Sequence, residues 1–432
     1  MKRAASYALG CKVNQYESEA IAELFAEKGY EIVGIDEAAD VYVINTCTVT
    51  NFGDKKSRQL IRKVKRQNEN AIVAVVGCYA QTAPQEIMAI AGVNLVIGTK
   101  DRGQIVDMVE QYHPQSGAEN HVSDIMKERI FEPLSIQKLT NRTRAYLKIQ
   151  DGCSQYCAYC IIPFARGPIR SREPKEVLAE VRRLAANGFQ EVVLTGIHVA
   201  SYGKDRNDTT LLEILRQVHE VEGISRIRFS SIEPNVVTEE FAKTMAELPK
   251  VCHHFHLSLQ SGCDRTLKEM NRKYDTEKYR QAVALLRKYM PQVALTTDII
   301  VGFPGETEED FRESYEFAKE IGFSKIHVFP YSPKKGTPAA ERNDQLPNGV
   351  KSERSHKLLA LSDASSTNFL EKYVGETVEV LYEKPLDTET YEGHTSNYMK
   401  VFTKSTQELS NRLVLTKITH IDGENAFGEA DL

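Results

Sequence analysis

The chain has 432 residues, 41% of them hydrophobic and 27% charged, with a formal net charge of −5. That is the composition of an ordinary globular protein of about three domains. It lacks the run of about 20 apolar residues that a membrane-spanning helix needs, and the acidic balance argues weakly against gripping nucleic acid through bulk positive charge.

The opening MKRAASYALGCKVN starts with two basic residues and carries only a short apolar patch, so it reads as a first β-strand rather than a signal peptide. A cytoplasmic location is expected, and there thiols stay reduced. The eight cysteines therefore point to metal or redox work rather than to a disulfide framework.

Residues 1–112 alternate two patterns. Strands are expected at Ala4–Leu9, Val41–Asn45, Ile72–Val76 and Leu95–Ile97, and helices at Tyr16–Lys28, Asp54–Asn68, Pro84–Ala91 and Gln104–Gln111. This rhythm implies a parallel α/β domain, in which ligands bind outside the carboxyl ends of the strands. Cys11, Cys47 and Cys78 each stand just past an expected strand, in LGCKVN, NTCTVT and VGCYAQ. Their spacing matches no short motif and suits packed core thiols equally well; their shared position favours a metal site. The second helix carries seven Lys or Arg and no acid in 55-KKSRQLIRKVKR-66. It reads first as an amphipathic helix turning Leu60, Ile61 and Val64 inward, and second as a phosphate-contacting face.

Residues 113–143 are polar and mixed and read as a linker, with an apolar patch at Ile130–Leu134. From 144 to 345 the alternation resumes. Strands are expected at Ala145–Gln150, Glu191–Thr195, Ile227–Ser231, His254–Leu259, Ala294–Ile300 and Lys325–Phe329, with helices between them. Six β/α units are fewer than the eight of a closed barrel, so a partial barrel is expected. Residues 346–372 read as a helical connector. Residues 373–432, rich in Val, Thr and Tyr with turn signals at Gly375, Gly393 and Gly423, read as a small antiparallel β-barrel.

The most informative stretch is 152-GCSQYCAYCIIPF-164, with Cys153, Cys157 and Cys160 after the first strand of the six-unit repeat. A structural zinc site wants four ligands, and no second pair stands at such spacing. A redox CxxC leaves Cys153 unexplained. An iron–sulfur cluster held by three thiolates, with one iron left open, remains.

This C-x3-C-x2-C loop, with Tyr159 before its last cysteine, resembles the radical S-adenosylmethionine superfamily. In that superfamily the open iron binds S-adenosylmethionine, and one electron from the cluster cleaves its sulfonium to give a 5′-deoxyadenosyl radical that abstracts hydrogen from an inert C–H bond. Strand-end segments agree with the resemblance, which implies cofactor contacts from Tyr159 in the loop, Thr195 and Gly196 in 194-LTGIHV-199, Ser231 and Glu233 in 229-FSSIEP-234, Ser258 and Gln260 in 257-LSLQSG-262, and Gly302 in 298-DIIVGFPGET-307.

Nearly the whole chain resembles the methylthiotransferase family, through 9-LGCKVNQYES-18, 45-NTCTVT-50, 76-VGCYAQ-81, the three-cysteine loop and 259-LQSGCDRTLKEMNRKY-274. The resemblance implies a second 4Fe–4S cluster on Cys11, Cys47 and Cys78, an electron donor, a sulfur source, and replacement of C–H by C–SCH3. The motif GCKVNQYES is most similar to the branch acting on tRNA threonylcarbamoyladenosine just 3′ of the anticodon, where unpaired bases can be splayed into a pocket. Arg166, Arg170 and Arg172 are candidates for phosphate or for the modification's carboxylate; intramolecular ion pairs are the equal alternative.

One feature departs from this branch. Residues 374–432 hold five Lys or Arg against eleven Asp or Glu, a balance better suited to a basic protein substrate. A sister branch that methylthiolates a ribosomal-protein aspartate therefore stays open, as do other adenosine modifications and, in a different class, a non-catalytic iron–sulfur sensor or RNA-binding protein. Cys263 and Cys252 are left outside the metal sites.

Overall fold

The structure, a computed structural model, describes residues 1–136 and 143–431. Strands β1 (Arg3–Ala8), β2 (Glu31–Ile32), β3 (Val41–Thr46), β4 (Ile72–Gly77), β5 (Leu95–Val96) and β6 (Glu119–Asn120) form one parallel sheet in the order β2-β1-β3-β4-β5-β6. β3 is buried at every position, because helices cover both sheet faces. Tyr42, Ile44, Val73 and Val75 pack with Ile61, Val64 and Ile87 on one face. Val41, Val43, Ala74 and Val76 pack with Ile21, Phe25, Ile105 and Val109 on the other.

The carboxyl ends of β1, β3 and β4 lie side by side, so Cys11, Cys47 and Cys78 leave adjacent strands at one edge. Helix Asn51–Gln67 starts at the cap Thr50, whose hydroxyl accepts from Gly53 N at 3.2 Å. It buries Ile61 and Val64 and exposes Lys55, Lys56, Arg62 and Arg66. The stretch read as a linker differs from that reading: it contributes β6, whose Glu119 and Asn120 pair with Leu95 and Val96. Two polar residues give no strand signal of their own; the neighbouring strand imposes the pairing. In its apolar patch Phe131 and Leu134 are buried while Ile130 is exposed, and its residues 137–142 lie outside the described residues.

The central strands are β7 (Arg144–Asp151), β8 (Arg170–Ser171), β9 (Glu191–Gly196), β10 (Arg226–Phe229), β11 (His254–His256), β12 (Ala294–Val301) and β13 (Lys325–Pro330). β7, β9, β10, β11, β12 and β13 run parallel in chain order as a partial barrel, with single bridges Ile227–Val251 and Ile232–Leu257 joining its two halves. Two-residue β8, absent from the sequence reading, lies antiparallel on β7.

Helix Asn348–Glu371 leads to β14 (Thr377–Pro385), β15 (Thr390–Thr395), β16 (Lys400–Lys404), β17 (Leu413–Asp422) and β18 (Asn425–Ala430). These close into a barrel in the order β14-β15-β16-β18-β17, with β14 paired to β17. One of its pairs, β16 with β18, is parallel. Part of the barrel's acidity is consumed in docking. Glu379 pairs with Arg226 at 3.0 Å, Glu383 with Arg144 at 2.8 Å, and Glu424 with Lys325. Among the described residues no helix is long and apolar enough to cross a membrane.

Candidate active site

A cavity of about 1130 Å³ opens where the three parts of the chain meet, lined by Cys11 and Lys12 from the first, the loop Cys153–Cys160 from the second, and His394 and Tyr398 from the barrel. That exceeds the ~300–1,000 Å³ usual for one small-molecule site, so it has room for more than a single cofactor. Of the residues expected to contact cofactor, Tyr159, Thr195, Gly196, Ser231, Glu233, Ser258 and Gln260 all line it.

Gly302 does not. A side chain at this position would meet Lys351 Cγ at 2.4 Å, so the glycine makes room for the connector helix. Gln260 has φ +69°, a costly backbone for a non-glycine residue of the kind that gathers at functional sites.

The two cysteine trios face this space differently. Cys153, Cys157 and Cys160 line the cavity directly. Burial pushes the thiols of Cys153 and Cys160 up to about 11 and about 12. Arg272 donates to Cys157 Sγ from Nη1 at 3.1 Å and to Glu233 from Nη2 at 2.7 Å. In the other trio Cys11 lines the cavity, while Cys47 and Cys78 stand behind it. Burial pushes Cys47 up to about 12, with the nearby Cys78 and Cys11 adding to the effect.

Each of Cys11, Cys78 and Cys153 follows a glycine with positive φ: 98° at Gly10, 93° at Gly77 and 72° at Gly152. A Cβ on Gly10 would come within 2.6 Å of Cys47 Cβ; glycine is what lets these two cysteine turns touch.

Behind the first trio lies a polar network that the sequence reading did not find. Asn14 donates to Leu9 O at 2.8 Å and Thr46 O at 3.1 Å, tying the ends of β1 and β3. Arg166 donates to Asn14 Oδ1 at 2.7 Å, to Glu17, and from Nε to Cys78 Sγ at 3.1 Å. Lys148 pairs with Glu17 at 2.7 Å and Asp151 at 2.6 Å. Glu17 is fully buried. Burial acts to raise its pKa, but Arg102, Arg166 and Lys148 outweigh it and hold the carboxyl well below its usual range.

The expectation that Arg166, Arg170 and Arg172 meet substrate is therefore corrected. All three are buried. Arg170 Nη1 donates to the carbonyls of Arg166 and Pro168 at 2.9 and 3.0 Å, and Arg172 pairs with Glu180 at 2.6 Å. Arg166 and Arg170 also reach Asp151, at 3.5 and 3.6 Å.

Also missed were the cavity histidines: His198, His254, His256, His327 and His394 line one space. The alternation in 254-HFH-256 was the available signal, since His254 and His256 share a strand face. Cys252 and Cys263 are buried, the latter donating to Asp310 at 3.3 Å.

Residues 147–318 match the radical SAM superfamily, and residues 3–98 match an uncharacterized protein family, UPF0004. A threonylcarbamoyladenosine tRNA methylthiotransferase MtaB from Bacillus subtilis is 48% identical over 97% of this chain and 94% of its own. The chain belongs to the radical S-adenosylmethionine methylthiotransferase family.

A tRNA-2-methylthio-N(6)-dimethylallyladenosine synthase from Clostridium novyi is 36% identical over 97% of this chain and 94% of its own. Among solved structures, the radical S-adenosylmethionine methyltransferase TsrM from Kitasatospora setae has the same fold at 15% identity, with a TM-score of 0.57 over 79% of this chain and 77% of that one.

Membership of this methylthiotransferase family brings a 4Fe–4S cluster and S-adenosylmethionine, and the donor set fits them. Three cavity-lining thiols leave one iron of a four-iron cluster open. Among the described residues no three His, Cys, Asp or Glu converge on the position of a single ion; a cubane instead takes one thiolate per iron at separate corners. The raised thiols must lose their protons on binding, and iron's positive charge offsets that cost.

Proposed function

We propose that this protein is a tRNA methylthiotransferase converting N6-threonylcarbamoyladenosine, 3′ of the anticodon, to its 2-methylthio derivative in the cytoplasm. The observation that carries the reading is that two cysteine trios share one cavity: Cys153, Cys157 and Cys160 on one wall, and Cys11, with Cys47 and Cys78 behind it, on another. The 48% identity to a relative named for that reaction supports the substrate.

Cys11, Cys47 and Cys78 would hold a second 4Fe–4S cluster. Three thiols beside a buried guanidinium suit one, since Arg166 offsets charge at Cys78. Bound together, the clusters and S-adenosylmethionine supply reductive cleavage of the sulfonium, hydrogen abstraction, and sulfur and methyl donation.

The chain's own part is geometry and exclusion of water. Arg272 fixes Cys157 and Glu233, and the network of Glu17, Lys148, Asp151 and Arg166 locks the first domain onto β7. The substrate base enters between the walls, and the exposed Lys55, Lys56, Arg62 and Arg66 face the RNA phosphates. An electron donor is required from outside, and the inserted sulfur comes either from the second cluster itself or from an outside sulfide.

Deleting the gene and profiling bulk tRNA nucleosides by mass spectrometry tests the reading. Loss of the methylthio-threonylcarbamoyl nucleoside is expected; an unchanged profile contradicts it.

A further inference from the structure

We propose that Lys12 is the receptor for the carboxylate on the substrate base, and so the residue that tells an acidic N6 substituent from an apolar one. This rests on the tRNA reading above. Lys12 lines the cavity and directly follows Cys11. Among the described residues it makes no ion pair, and its ammonium lies 5.9 Å from the Tyr146 ring.

Most of the other cations in and near the cavity are committed. Arg272 holds Glu233, Lys325 holds Glu424, Arg144 holds Glu383, and Arg228 holds Glu191 at 2.7 Å. Arg144 and Arg228 both lie against the Tyr398 ring, at 5.3 and 4.5 Å. Lys400, the second cavity lysine without an ion pair among the described residues, lies 5.9 Å from the ring of Phe402.

A partly desolvated ammonium facing a cavity and lacking an anion is costly, and a bound carboxylate removes that cost. The two kinds of relative name two kinds of base: one bears a threonylcarbamoyl group, which ends in a carboxylate, and the other a dimethylallyl group, which is hydrocarbon. A site that leaves one charge to be satisfied by the ligand rejects the substituent that cannot satisfy it. The position also serves the reaction. N6 and C2 lie on the same edge of adenine, so pairing the substituent with Lys12 sets that edge beside Cys11.

The test is affinity, not turnover. Reconstituted protein, held anaerobically without S-adenosylmethionine, is titrated with a fluorescent anticodon stem-loop bearing threonylcarbamoyladenosine and with the same RNA bearing plain adenosine. Wild type is expected to favour the acidic base by roughly tenfold or more, the scale of one buried charge pair. Lys12→Gln should lose that preference while binding plain RNA as wild type does, with iron content unchanged; Lys12→Arg should keep it. Should Lys12→Gln lose iron, Lys12→Met carries the same comparison. Lys400→Gln should weaken both RNAs alike.

Retention of the preference in Lys12→Gln and Lys12→Met, or its loss in Lys400→Gln instead, overturns the assignment and leaves the tRNA reading intact. Absence of any preference in wild type overturns both.

Discussion

Arg166 Nε donates to Cys78 Sγ at 3.1 Å, although Arg166 stands six residues past Cys160, at the end of the short helix Ile162–Arg166 that follows the other trio's loop. Arg272 makes the matching contact to Cys157 at 3.1 Å. Each trio thus has one guanidinium on one sulfur. Hydrogen bonds and positive charge at cluster sulfurs raise the reduction potential. If the proposed second cluster sits on Cys11, Cys47 and Cys78, Arg166→Met is expected to lower the midpoint potential of that cluster alone, and Arg272→Met that of the cluster assigned to Cys153, Cys157 and Cys160 alone. Redox titration followed by electron paramagnetic resonance reads each; a change shared by both signals would contradict the pairing.

Glu17 carries the interface between the first two domains. Its carboxylate is buried among Arg102, Lys148 and Arg166. Glu17→Gln leaves those cations with less compensation and should cost about 3–5 kcal/mol, read by urea denaturation of the reduced, metal-free chain. A loss below about 1 kcal/mol would mean that water already reaches the network.

Docking of the C-terminal barrel should depend on acid. Burial acts to raise Glu383, but His394 and Arg144 outweigh it and hold its carboxyl at about 2, against an ordinary 4.5. A depressed carboxyl stabilises the fold above its ordinary value, and that contribution fades as pH falls from about 4.5 toward about 2. Hydrogen exchange in β14 and β15 of metal-free protein should quicken across that window, beyond the ordinary pH dependence of exchange, and Glu383→Gln should remove the excess. Identical profiles for the two proteins would place the acid sensitivity elsewhere.

The basic helix should account for much of the salt dependence of RNA binding. Reversing Lys55, Lys56, Arg62 and Arg66 to Glu is expected to weaken stem-loop binding and to flatten the slope of log affinity against log salt by roughly 0.7–0.9 for each phosphate no longer neutralised. An unchanged slope would place the RNA on another face.

Much of this site was legible because strand ends declare themselves. Cys11, Cys47 and Cys78 could be placed together from their positions after β1, β3 and β4 alone. Thr195, Glu233 and Gln260 reached the cavity for the same reason. Gly302 followed the rule and missed, since the neighbour that demanded a glycine was Lys351, 49 residues away in the chain. The arginines at 166, 170 and 172 looked free because Glu17, Asp151 and Glu180 are paired to them only by the tertiary fold. The barrel's acidity looked hostile to RNA for a like reason: Glu379, Glu383 and Glu424 face bases of the central domain.

The account depends on two trios with separate tasks in one cavity. Its most direct test is the product made by Cys11→Ala protein, reconstituted anaerobically with S-adenosylmethionine, a reductant and a threonylcarbamoyladenosine stem-loop, and analysed by mass spectrometry. The account expects 5′-deoxyadenosine to form while no nucleoside gains the CH2S of a methylthio group. Methylthiolated nucleoside at the wild-type level would contradict it.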